Sequence, residues 1–224
     1  MKPSHEECEE QFNKFRVPSN IVKHCKKVNQ VAVFLANELQ GKGIKVNIDL
    51  VDRLSLMHDL FKAFKIIPLT DDPKFKSFPT KQQIDFWNIM RKKYSPNMHE
   101  SEVFYEEFKH IYPELAEAVK KEGEMGKTID KSVFQIEYRI VSYADWRVFV
   151  DEIIPFEQRI DDIFERYKEK RSSQSKEFWD KFKQGEFELE HSIFKHLDFS
   201  PNELKEKVEG RKKSKNGKNK ISDV

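Results

Sequence analysis

The stretch NIVKHCKKVNQVAVFLANEL, residues 20–39, contains apolar or small side chains spaced three and four residues apart. They are Ile21, Cys25, Val28, Ala32, Leu35, Ala36 and Leu39. Side chains with this spacing share one face of an α-helix, so the stretch predicts a long amphipathic helix with that face in a core. Gly41 supplies the expected C-terminal stop.

The same helical pattern recurs along the chain. Asp49, Thr80 and Asp130 each precede a further stripe of apolar residues, and the stripe after Asp130 covers residues 133–148. No segment shows the sustained two-residue alternation that predicts a strand. The sequence therefore predicts an all-α fold, a multi-helix bundle of about eight or more helices with additional C-terminal helices.

The composition excludes several classes of protein. The 224 residues are 36% charged and 38% hydrophobic, with a mean hydropathy of −0.77, and no apolar run approaches the roughly 20 residues that a membrane-spanning helix needs. The acidic N-terminus does not resemble a secretory signal. Cys8 and Cys25 are too few for a disulfide framework or a thiolate zinc ribbon. We therefore expect a soluble, cytoplasmic protein.

Two ionisable residues interrupt the apolar stripe that follows Asp49. His58 and Asp59 are predicted to lie in the middle of that helix, where an unpartnered imidazole and carboxylate would be costly to bury. His24 and Asp145 occur on the two other most apolar helices. Two imidazoles and two carboxylates would form a mixed nitrogen and oxygen site suited to Mn, Fe, Co, Ni or Zn. A His–Asp hydrogen bond within a core is the alternative, and spacing alone is consistent with both.

The sequence around these four residues resembles the HD-domain metal-dependent phosphohydrolase superfamily, whose signature is His, then His-Asp, then a distant Asp. The matching segments are KHCKKVNQVAVFLANEL with His24, LSLMHDLFKAF with His58 and Asp59, and IVSYADWRVFVDEIIPFEQRIDDIFERY with Asp145. The resemblance covers roughly residues 20–170. It implies an all-α fold and metal-dependent hydrolysis of a phosphomonoester or phosphodiester, commonly of a nucleotide. It also implies that these four residues bind the metal and that Asp59 orients water or bridges two ions.

The chain departs from the family pattern at two places. Many members read His-Asp-x-Gly-Lys, whereas this chain keeps Lys62, a candidate catalytic and phosphate-binding residue, and replaces the glycine with Phe61, which we expect to narrow the pocket. Binuclear members have two further histidines. His99 resembles the first and is a candidate substrate contact, but Lys121 and Glu122 stand near the second position. We therefore expect one divalent ion, Mn, Fe, Co, Ni, Zn or Mg, rather than two.

Two further features concern the substrate. Arg147 is a candidate phosphate ligand because its planar guanidinium matches phosphate oxygens, although it could instead pair with Asp151 four residues later. Residues 67–79, which are rich in proline, predict a loop that overhangs the site. The expected partner is a phosphorylated small molecule or nucleotide; the exact substrate and the oligomeric state are left open.

The predicted organisation has four parts. Residues 1–19 form an N-terminal helix and connector, 20–171 the HD-like catalytic domain, 172–210 a helical extension, and 211–224 a disordered basic tail. The tail contains six basic residues and one acidic residue, so the rest of the chain is slightly acidic although the net charge is +2. A basic tail predicts the alternative function, a non-catalytic helical module that binds RNA or a partner protein.

Overall fold

The computed structural model of the chain describes residues 2–166 and 176–218. Most of these residues are helical, and their one sheet is a two-stranded antiparallel hairpin, so the predicted all-α class is confirmed. In chain order the helices are α1 (His5–Lys14), α2 (Ser19–Gly41), α3 (Ile48–Met57), α4 (Lys81–Lys93), α5 (Glu100–Phe108), α6 (Pro113–Met125), α7 (Ile136–Trp146), α8 (Phe156–Arg166), α9 (Lys176–Phe194) and α10 (Leu204–Lys218). The hairpin strands are β1 (Val148–Phe149) and β2 (Glu152–Ile153), between α7 and α8. None of the helices in the two described ranges is long and apolar enough to cross a membrane.

The core is built around α2, which packs mainly against α3 and α7. All seven side chains of its predicted stripe are buried, together with Val31 and Phe34. Burial of apolar surface stabilises a fold by roughly 25 cal/mol per Å², so this face holds the three helices together. His24 is consequently held beside both α3 and α7.

The end of α3 differs from the prediction. The helix ends at Met57, so His58 is its C-terminal cap and Asp59 lies in the turn that follows, not in the middle of a helix. A short 3₁₀ turn at Lys62–Phe64 comes next. Helical periodicity continues in the sequence beyond Met57, but the backbone turns there.

Phe61 anchors this turn in the hydrophobic core. Its side chain is fully buried, and its ring lies edge-on to the rings of Phe15, at 4.7 Å between centroids, and Trp87, at 6.0 Å. These contacts connect the turn to the segments after α1 and in α4. The expectation that Phe61 narrows the pocket is therefore wrong, because the ring fills the core instead.

The segment before α7 also differs from the prediction. Asp130 does not cap the long helix; its Oδ1 accepts hydrogen bonds from the backbone N–H and the hydroxyl of Ser132, which close a local turn. Val133, predicted to lie in the apolar stripe, is 73% exposed. The helix itself begins only at Ile136.

At the C-terminus the structure is more helical than predicted. The sequence predicts disorder from Arg211, whereas α10 continues to Lys218, because its first turns are anchored by the buried Leu204 and Val208 and lysine propagates a helix well. Residues 219–224 lie outside the described residues. Binding of RNA or a partner protein through this tail stays a prediction.

Gly185 of α9 packs directly against the loop before α7, so a methyl group added at this position should lower the stability of the fold. A Cβ added at Gly185 would lie 2.4 Å from the carbonyl oxygen of Ile129. We expect Gly185→Ala to lower the free energy of unfolding by about 1–3 kcal/mol, the usual cost of overpacking. Gly41→Ala is the control, since nothing lies within 4 Å of its added Cβ. Urea denaturation measures both, and equal stability of the two variants would contradict this packing.

The next residue, Glu186, is buried beside Lys131 of the same loop. Glu186 and Lys131 have side-chain exposures of 1% and 2%, and Lys131 Nζ lies 3.0 Å from Glu186 Oε1. Burial raises the pKa of Glu186 to about 7, although the charge of Lys131 opposes the shift. The folded protein therefore retains a proton on Glu186 that the unfolded chain loses near pH 4.5.

This pKa predicts a pH-dependent stability. Because the pKa of Glu186 is higher in the folded than in the unfolded state, its contribution to the free energy of unfolding is greatest below pH 4.5 and is lost as the pH rises through 7. The total change is about 3 kcal/mol. Glu186→Gln cannot titrate, so the stability of the wild type relative to this variant should fall by that amount between pH 4.5 and 8. Denaturation curves across this range measure the difference. A constant difference would contradict the assigned pKa.

Candidate metal centre

Four ionisable side chains meet where α2, the end of α3 and α7 come together. The potential ligand atoms of His24, His58, Asp59 and Asp145 all lie within 4.8 Å of one another. These are the four residues that the sequence analysis predicts as metal ligands, and the structure brings them together from positions up to 121 residues apart. This mostly buried group could hold a metal ion.

The backbone orients both imidazole rings toward the group. His24 Nδ1 lies 3.2 Å from the carbonyl oxygen of Val150, and His58 Nδ1 lies 2.8 Å from that of Ser55. A carbonyl oxygen only accepts, so each Nδ1 donates its proton, and the remaining nitrogen, Nε2, faces the two carboxylates. Metal-binding histidines typically have this arrangement, in which the distant ring nitrogen is held by a hydrogen bond.

The facing atoms lie close enough together for one cation to bind several of them. His24 Nε2 lies 2.7 Å from Asp145 Oδ1, and His58 Nε2 lies 3.7 Å from the same oxygen. Both nitrogens are 3.9 Å from Asp59 Oδ2. His58 Nε2 is buried and has no hydrogen-bond partner within residues 2–166 and 176–218. A buried, unsatisfied nitrogen beside two carboxylates fits a divalent cation, which accepts electron pairs from all of them.

The electrostatics of the group also favour positive charge. Burial disfavours a charge on His58, yet the carboxylates of Asp59 and Asp145 outweigh it and raise its pKa to about 9. Despite burial, Lys62 and His58 lower the pKa of Asp59, and both histidines hold the pKa of Asp145 well below its usual range. Two ionised carboxylates are thus concentrated in a mostly buried space, which favours positive charge there.

Lys62 and His99 lie on one side of this group and are connected through Glu100. Lys62 Nζ is 3.4 Å from Asp59 Oδ1 and 3.2 Å from Glu100 Oε1. His99 caps α5, its Nδ1 contacts the hydroxyl of Ser101 at 2.9 Å, and its Nε2 lies 3.4 Å from Glu100 Oε2. Burial lowers the pKa of His99. The buried Glu100, 8% exposed, was not singled out by the sequence analysis.

Glu122, which stands near the second histidine position of binuclear family members, is half-buried in the last turn of α6. Its pKa is raised to about 7, mainly by burial and also by Asp145 and Asp59, while His58 opposes the shift. Glu122 therefore interacts with the metal-ligand group. Gly123 permits the close packing of α6 on the start of α5, because a Cβ there would lie 2.3 Å from Ser101 Oγ.

The side chain of the neighbouring Lys121, in contrast, lies at the surface. Lys121 Nζ lies 2.9 Å from Glu124 Oε2, and both side chains are more than 40% exposed. Its charge is therefore directed toward solvent.

Arg147 does not contact the site, and its prediction as a phosphate ligand is wrong. Its side chain is 3% exposed and donates to the hydroxyl of Tyr143 at 2.6 Å and to the carbonyl oxygens of Ile154 and Pro201 at 2.9 and 3.0 Å. The alternative partner, Asp151, pairs with Lys76 instead. The reason lies in helix geometry: residues two apart on a helix project about 200° apart, so Arg147 points away from Asp145.

A cavity of about 370 Å³ lies beside the metal-ligand group. His24, Asp59 and Lys62 line one part of it, and the predicted overhanging loop contributes Pro68, Thr70, Asp72, Phe75 and Ser77. The rest comes mainly from the β1–β2 hairpin and α8, which add Phe149, Val150, Arg159 and Arg166.

The sequence analysis missed the two arginines because the hairpin that turns α8 back over the cavity was not predicted. One signal was present: Arg159 follows the buried Phe156 by three residues and therefore lies on the apolar face of α8.

Comparison of the chain with protein-family models, with curated proteins and with solved structures found no match. What the site does is therefore inferred from its own geometry and chemistry.

Proposed function

We propose that this protein is a metal-dependent phosphohydrolase of the HD-domain type that cleaves a phosphomonoester or phosphodiester of a nucleotide. The observation that carries the proposal is the pair of histidines whose outer nitrogens are held by carbonyls while both Nε2 atoms face Asp59 and Asp145. The order of the ligands along an all-α chain, and the cavity beside them, support it.

His24, His58, Asp59 and Asp145 would hold the ion. The equal number of imidazole and carboxylate ligands suits Mn, Fe, Co, Ni or Zn better than Mg, which prefers an all-oxygen shell. The chemistry that such an ion supplies when bound is polarisation of a phosphoryl oxygen and a lowered pKa of a neighbouring water molecule.

Asp59 is placed to serve two partners. Its Oδ2 faces both histidines, while its Oδ1 lies 3.4 Å from Lys62 Nζ. One oxygen can thus bind the ion while the other orients a water molecule or Lys62. The 41% exposed side chain of Lys62 lines the cavity, where its ammonium can neutralise charge on a phosphoryl oxygen. Glu122, with a pKa of about 7, can hold or release a proton near neutral pH.

The position of Lys62 also favours one bound ion over two. Its ammonium lies between Asp59 and Glu100, the two carboxylates that a second cation on that side would share. A second dication would have to displace this charge or be repelled by it. Glu122 is the feature that favours a second ion, since its carboxyl interacts with Asp59, Asp145 and His58 of the metal-ligand group.

Hydrolysis of a substrate panel tests the proposal. Purified full-length protein, stripped of metal and then reloaded separately with Mn²⁺, Fe²⁺, Co²⁺, Ni²⁺, Zn²⁺ or Mg²⁺, would be assayed on phosphomonoesters and phosphodiesters. We expect turnover with at least one transition-metal ion, its loss on chelation and its return when the ion is added back. Absence of turnover on every substrate with every ion, or activity that survives chelation, would overturn the assignment.

A further inference from the structure

Arg159 lies in the cavity of the candidate metal centre and on a different element from every predicted site residue. The hairpin of β1 and β2 directs α8 back across the cavity, so Arg159 lines the same space as His24, Asp59 and Lys62. Its side chain is 13% exposed. An arginine this buried needs acceptors for its five N–H donors.

The described residues leave part of this need unmet. Asp162 accepts one hydrogen bond from Arg159 Nη1 at 3.0 Å, and the guanidinium carbon lies 5.6 Å from the centroid of the Phe149 ring. Arg159 Nε is buried and has no hydrogen-bond partner within residues 2–166 and 176–218. Burial lowers the pKa of Arg159, opposed by the charge of Asp145, so the guanidinium has lost hydration that this arrangement does not replace.

The surrounding charges favour an anion. Asp162 also contacts Arg166 at 2.8 Å and Lys74 at 2.9 Å, so one carboxylate serves three cations. Three cationic side chains line the cavity against two carboxylates: Arg159, Arg166 and Lys62 against Asp59 and Asp72. Arginine suits a tetrahedral oxyanion better than lysine does, because its planar fork presents two parallel N–H groups.

We propose that Arg159 is a substrate-binding residue that donates hydrogen bonds to a phosphoryl oxygen of the bound ester. The inference rests on the proposed function, since it takes the anion that this cavity would bind to be the phosphate group of the substrate. Arg159 thereby takes the role that the sequence analysis gave to Arg147.

Binding of inorganic phosphate to the full-length chain tests the role of Arg159 without an activity assay. Isothermal titration calorimetry would compare wild type, Arg159→Met, Arg159→Lys and Arg139→Met, each with and without the bound divalent ion. Arg139 is the matched control, because its Nε is likewise buried without a partner among the described residues but its side chain lines a different, smaller cavity. We expect Arg159→Met to weaken phosphate binding at least about tenfold, which corresponds to the loss of one charge-assisted hydrogen bond. Arg139→Met should stay within about twofold of wild type.

The outcomes separate the two proposals. Unchanged phosphate affinity in Arg159→Met, or no phosphate binding by the wild type, would overturn the role of Arg159, while metal-dependent turnover in the substrate panel would still support the proposed function. Arg159→Lys covers the case in which the methionine variant does not fold, because it keeps the charge but loses the two parallel N–H groups of the guanidinium. A phosphate affinity about threefold or more below wild type in this variant supports the role of Arg159. Equal affinity overturns it. Ion content equal to that of wild type in each variant would show that the effect is on the anion and not on the metal.

Discussion

Replacing Asp59 with asparagine is expected to lower kcat/KM for phosphate ester hydrolysis on the order of 10³-fold. The substitution keeps the shape of the side chain but removes one negative charge from a site that needs two to offset a divalent ion. It also removes the carboxylate that Lys62 and His58 stabilise. The magnitude corresponds to the upper range for the loss of a single group that stabilises charge in a transition state.

Asp49→Asn is the matched control. Asp49 occupies the first turn of α3, the helix that precedes Asp59, is 63% exposed and pairs with Lys2, outside the cavity. This variant should keep wild-type activity within about twofold, and circular dichroism should show the same helix content for both. Undiminished turnover in Asp59→Asn would mean that this carboxylate does not take part in the reaction.

A divalent ion is expected to raise the thermal midpoint of the metal-free protein by roughly 10 °C when the free ion is about 1,000-fold above its Kd. The folded chain assembles two carboxylates and two imidazoles, one with a buried unsatisfied nitrogen, whereas the unfolded chain does not bring them together. Differential scanning fluorimetry with each ion measures the shift. Metal analysis at saturation should give one ion per chain.

Two variants show whether the shift comes from this group. Asp145→Asn should lose most of the shift, because Asp145 is the carboxylate closest to both histidines. Asp151→Asn should retain it, since Asp151 is a nearby aspartate that pairs with Lys76. No shift with any ion would argue that the group is a hydrogen-bonded His–Asp cluster of the core. Two tightly bound ions per chain would show that Glu122, not Lys62, decides the metal count.

The sequence was sufficient for the helical class and for the four candidate ligands. Periodicity assigns each apolar residue to a face of its own helix, and the stripe of α2 is buried as predicted. His24, His58, Asp59 and Asp145 stood out because charged and polar residues within apolar segments need partners. Both inferences depend on one helix at a time.

Only the tertiary structure decided which other residues reach the site, because that depends on how helices approach and rotate against one another. Gly123 allows α6 to lie close to α5, and the packing of α6 brings Glu122 within electrostatic reach of Asp59 and Asp145. The hairpin after α7 places Arg159 in the cavity, while the helical rotation from Asp145 directs Arg147 into a buried network with Tyr143. Periodicity within a segment contains no information on the distance or angle between two segments, which are determined by side-chain packing across the whole core.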